Sequence, residues 1–169
     1  MYDIAIRHFG RTLRNLDAVL GKAQDFAEAR KFDVNNFCTA RLFPDMLPFT
    51  AQVRIACDQA KNAAANLSGQ EPPRHEDNET TVEELRGRIG KCLAYLDSFK
   101  PGDFDRTTAD TLVKIPSPKG KLMRAQDYLF SRQIPNFYFH VTTAYDILRH
   151  GGVPIGKSDY LGPLEMRDA

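Results

Sequence analysis

Apolar residues near the start of the chain recur at helical spacing: Ile6, Phe9, Leu13, Leu16, Leu20 and Ala23. Arg7, Arg11, Arg14, Asp17 and Lys22 fall mostly off that stripe. A period near 3.6 predicts a long amphipathic helix over residues 2–30. A mixed connection follows, "FDVNNFCTARLFPDML", with room for a short helical turn. Pro48 then stands where a first helical turn tolerates proline. Phe49, Val53, Ala56, Cys57, Ala60, Ala63, Ala64 and Leu67 form a second stripe, which ends at Ser68-Gly69.

The segment "GQEPPRHEDNE" carries Pro72, Pro73 and a run of charges, which predicts a solvated loop with His75 at the surface. Thr81-Val82-Glu83-Glu84 has the pattern of a capping box at a helix start. Leu85, Ile89, Cys92, Leu93 and Leu96 carry that third helix to about residue 100, before Pro101-Gly102. Its interior Gly87 and Gly90 weaken it slightly or mark close packing. The rhythm then changes. Residues 111–115, "TLVKI", have strand character, 117–120 a turn, and 121–123 a short returning strand. An isolated hairpin is marginal, so this one must lie on the helices or pair with another copy. Residues 125–133 suit a short helix, and Pro135 opens the fourth long one, with Gly151-Gly152 as its left-handed cap. The tail after Gly152 is expected to dock in extended form.

Four long amphipathic helices around one apolar core predict an all-α protein, an up-down-up-down four-helix bundle with a small β-hairpin between helices three and four. A single domain over residues 1–169 accounts for the whole chain, which is long enough to bury about two thirds of its unfolded surface.

Charge narrows the range of partners. Lys plus Arg number 23 and Asp plus Glu 22, a formal net charge of +1, so nothing favours nucleic acid or an anionic membrane. Cys38, Cys57 and Cys92 are scattered and odd in number, without zinc-site spacing. They read as reduced thiols of a cytoplasmic protein, with Cys57 and Cys92 as small core residues. No stretch approaches the ~20 apolar residues that span a bilayer, and the N-terminus lacks an apolar signal core.

In an up-down-up-down bundle helices two and four run parallel. Gln52 follows Pro48, and His140 follows Pro135, at similar distances and on inward faces, so the two meet near the same end. That polar pair within an apolar layer is the main site candidate. His140 is either a buried imidazole satisfied by Gln52, Tyr138 or Asp45, or part of a metal-free ligand pocket with Gln52 and Tyr145. Arg149-His150 complement the helix C-terminus, and His8 sits at the edge of its stripe toward solvent. Gly156-Lys157-Ser158 lacks the upstream glycine of a phosphate loop, so Lys157 and Asp159 read as partners for helix ends or loops.

"PNFYFHVTTAYDILRHGGVPIGKSDYLG", together with "RLFPDMLPFTAQVRIACDQAKNAAANLSG", resembles a family described as a domain of unknown function, within the DinB/YfiT-like metalloenzyme superfamily. The resemblance spans nearly the whole chain. It implies the same four-helix fold and a homodimer. Metal-binding members use three histidines, one from helix two and two a turn apart on helix four, leaving positions open for water or a thiol. Only His140 matches that pattern here. Ala144 stands one turn later, and helix two offers Gln52. The expectation is therefore a DinB-like protein without the three-histidine site, with no metal ligand other than His140 and no assigned cofactor. A small-ligand pocket would be built from Gln52, His140, Tyr145 and Asp45. The alternatives are a divergent metal-dependent hydrolase or thiol transferase using His140, and a homodimeric interaction module using the hairpin. The residues do not decide whether the protein is an enzyme.

Overall fold

The computed structural model describes residues 1–115, 118, 120–164 and 166–167. A wide π-type turn, Asp3–His8, leads into α1 (Phe9–Arg30), which stops at Lys31 in the left-handed conformation, φ 59°. A short 3₁₀ turn, Val34–Phe37, lies in the connection to α2 (Phe49–Ser68). Gly69 ends α2 with φ 74°, a backbone state that costs glycine little. The capping box forms as the pattern predicts at the start of α3 (Val82–Asp97): Glu84 N donates to Thr81 Oγ1 (3.2 Å), and Thr81 N donates to the Glu84 carboxylate (3.0 Å).

A 3₁₀ turn, Pro101–Phe104, precedes two antiparallel strands, β1 (Leu112–Lys114) and β2 (Leu122–Arg124), with Val113 opposite Met123. The turn expected over 117–120 lies partly outside the described residues. Ala125–Asp127 and a π-type turn, Tyr128–Gln133, run without a break into α4 (Ile134–His150). The tail is not wholly extended, because α5 (Lys157–Leu161) packs on α1. Asn15 holds it there by donating to the Tyr160 carbonyl (3.1 Å), and Lys22 pairs with Asp159 (2.5 Å).

The expected all-α bundle with a small hairpin is what forms, but its helices run up-down-down-up rather than up-down-up-down. Arg14 pairs with Asp97 while Arg86 pairs with Asp17, so α1 and α3 are antiparallel. Gln52 meets His140, Gln133 meets the Gln59 carbonyl and Asn66 meets Tyr128, so α2 and α4 are antiparallel too. The starts of α2 and α3 lie at the same end, where Thr50 N donates to the Cys38 carbonyl and Val82 N donates to Asn35. Further along, Cys92 donates to the Cys57 carbonyl (3.3 Å). Those two helices are therefore parallel. α1 and α4 are parallel as well: Phe9 stacks on Phe137 at one level, and Phe37 and Phe26 approach Gly151 and Gly152 at the other.

Chain length permits this arrangement. The 20 residues of α2 rise about 30 Å. Residues 69–81, fully extended, reach about 43 Å, enough to travel back along α2 and start α3 beside its beginning. Side chains fasten that return: Arg54 donates to the Asp77 carbonyl (2.5 Å) and Arg88 to the Glu76 carbonyl (3.0 Å).

Phe9, Leu13, Leu20, Phe49, Leu67, Leu85, Ile89, Leu96, Phe137 and Leu148 make up the enclosed core, with Cys57 and Cys92 inside it as expected. The hairpin turns Val113 into this core and Leu112 and Leu122 outward. It rests on its own helices, which removes the need for a second copy to cover it. No helix among the described residues is long and apolar enough to cross a membrane.

Candidate functional site

Gln52 sits in the first turn of α2 and His140 in the middle of α4, and the antiparallel packing brings them together. His140 Nδ1 lies 2.7 Å from Gln52 Oε1, and Gln52 Nε2 donates to the Leu47 carbonyl (3.0 Å). The roles in this chain follow from chemistry. A carbonyl only accepts, so the Gln52 NH₂ must face Leu47 and its oxygen must face the ring. That oxygen also only accepts, so His140 Nδ1 carries the proton. Burial pushes the imidazole below its ordinary pKa, which keeps it neutral near pH 7. The neutral ring then has its lone pair on Nε2.

His140 is 8 % exposed. Nε2 bonds to none of the described residues and is not among their buried polar atoms without a partner, so it is the nitrogen that solvent reaches. Beside it, the Phe139 ring stands perpendicular to the imidazole with centroids 5.2 Å apart, and is 57 % exposed. Leu47, whose carbonyl holds Gln52, is also largely exposed.

The other two expected pocket residues lie elsewhere. Tyr145 faces α1 and α5, edge-on to Tyr160 at 5.7 Å, because five residues beyond His140 lies far round the helix. Asp45 is exposed in the loop before α2 and makes no hydrogen bond to His140 among the described residues. His150 and His8 are exposed, as expected. Asp159 accepts from Gly156 N (2.8 Å) at the start of its own helix, one of the roles expected of it.

Two polar clusters have no counterpart in the sequence reading. Arg88 is enclosed yet charged, and is held by Asp58 (2.9 Å), Asp77 (3.0 Å) and Glu79 (3.0 Å). Asp58 also binds the buried Lys61 (2.7 Å). A cavity of about 260 Å³ adjoins this cluster, lined by Arg74, His75, Glu79, Arg88 and Lys91 among others. His75 is half-buried, not the free surface residue expected, because the loop carrying it folds back over α2 and α3. In the second cluster Tyr128 is wholly buried, and burial drives its phenol up to about 12. Its hydroxyl accepts from Asn66 (2.8 Å) and Gln133 (2.8 Å) and donates to the Asn62 carbonyl (3.2 Å). That satisfied network ties the lead-in of α4 to α2.

A family model described as a domain of unknown function, DUF1993, matches residues 1–161. The chain belongs to that family. This DUF1993 chain is also similar to the crystal structure of a DinB family member protein from Shewanella denitrificans. The TM-score is 0.93 and the identity 42 %, over 99 % of this chain and 95 % of that one. No curated protein matches it.

The donors of this DUF1993 chain do not fit a three-histidine metal centre. Among the described residues no group of three or more His, Cys, Asp or Glu side chains is placed to hold an ion. Ala144 is packed in the core where a second imidazole would stand, and the Gln52 oxygen is already committed to the His140 proton.

Proposed function

We propose that this family member binds a small organic molecule at the Gln52–His140 pair, through a hydroxyl or N–H group that donates to His140 Nε2. The observation that carries this reading is the polarised chain from Leu47 through Gln52 to His140, which fixes the tautomer and leaves one oriented acceptor at the surface. The exposed faces of Phe139 and Leu47 suit an apolar body on the ligand, so phenols and small alcohols are the class to try. Self-association belongs to the same reading, through the likeness to its family.

The test is heteronuclear NMR of the ¹⁵N-labelled chain, purified without a histidine tag. His140 should show a protonated Nδ1 and an unprotonated Nε2. Adding phenol should move the Nε2 resonance, and its methyl ether, which has no donor, should not. Zinc, nickel and manganese are added in parallel. Stoichiometric binding of one ion that His140→Ala abolishes would replace this reading with the metal-dependent one.

A further inference from the structure

The connection from α2 to α3 is fastened at two kinds of point. Arg54 and Arg88 hold its backbone carbonyls at Asp77 and Glu76, and Arg88 also takes the carboxylates of Asp77 and Glu79. Immediately before these anchors His75 turns inward. Its Nδ1 is shut from solvent and bonds to none of the described residues. The groups facing it are mostly cationic. α2 presents Lys61, with Asp58 as the opposing carboxylate, and α3 presents Arg88 and Lys91. The connection itself adds Arg74, Glu76 and Glu79 around the adjoining cavity. Asp58 is already engaged by both Lys61 and Arg88.

We propose that residues 70–80 form an acid-released strap, seated on α2 and α3 while His75 is neutral and lifted when His75 takes a proton. A neutral ring leaves only a lone pair unpaired on the enclosed Nδ1, the smaller of the two costs. A protonated ring must place an N–H there without an acceptor, and a full positive charge beside Lys61, Arg88 and Lys91. The seated strap therefore selects the neutral ring.

Burial first, and then Lys61 and Arg88, lower the ring's pKa, which gives the same direction. A group lowered in the seated state stabilises it fully above its free value of about 6.5. That contribution fades as pH falls below this value. Release bares the cavity wall and the enclosed Arg88 guanidinium to solvent.

The experiment follows the amides of residues 74–79, the Arg88 Nε–H and the His75 ring by NMR of the full chain, from about pH 7.5 to about pH 5. The expected result is that the 74–79 amides move toward disordered-peptide shifts in step with the His75 titration, while resonances of the α1 core stay in place. Over the same range His75→Gln should keep the strap seated, and His75→Lys should show it lifted already at the upper pH. The proposal is overturned if His75 titrates while those amides hold their positions, if His75→Gln releases at the same pH as the parent chain, or if His75→Lys stays seated.

Discussion

Both ends of the Gln52 amide are occupied, one by the Leu47 carbonyl and one by the His140 ring, so removing the amide strands two partners at once. Gln52→Leu keeps much of the volume but leaves a buried Nδ1–H and a carbonyl unpaired. It should destabilise the chain by about 1–3 kcal/mol, read as a lower urea midpoint at unchanged m-value. The pairing was legible in the sequence, although for a reason the structure corrects. Similar distances from two helix starts would matter only if α2 and α4 ran parallel. They meet instead because the helical lead-in from Ala125 lengthens α4 upstream, placing His140 opposite the first turn of α2. Tyr145 lies elsewhere for a related reason: distance along a helix axis does not give the angle round it. Arg88 could have been found: it lies three residues after Leu85 and four before Cys92, on the buried stripe, where a cation demands a partner.

For single elements the sequence was a reliable guide, since caps and stops are local chemistry. Thr81 and Glu84, Gly69, and the apolar stripes of α1 to α3 all act where their patterns put them. The two glycines inside α3 left a choice that the structure settles: a Cβ added at Gly87 or Gly90 would meet nothing within 4 Å. Close packing does not explain them. Both positions are exposed and helical, so they only add freedom to the unfolded chain. Gly87→Ala and Gly90→Ala should each stabilise the protein by roughly 0.5–1 kcal/mol, measured by denaturation, and the pair should be near additive. Gly151→Ala would behave in the opposite way, because its Cβ would run into Phe37.

At the scale of the molecule the helix directions were the part the sequence hid. An amphipathic stripe has the same period read from either end, so it cannot say which way a helix points in its bundle. One signal was present. Residues 69–81 exceed the roughly 2–8 residues that usually join bundled helices, as a return along the whole of α2 requires. Deleting five residues from 70–77 leaves a connection reaching only about 26 Å, shorter than that path. The deletion should abolish cooperative folding, seen as a broad unfolding transition in place of the parent chain's sharp one. The arrangement also bears on how the chain finds its structure. α2 and α3 are neighbours but parallel, while α1 with α2, and α3 with α4, lie across diagonals, so no two consecutive long helices make an antiparallel hairpin. The contacts that define the bundle join residues far apart in the chain, such as Phe9 with Phe137 and Gln52 with His140. Loop closure must precede the contacts that pack the long helices together, and the protein should fold more slowly than helical bundles whose neighbours in sequence are neighbours in space.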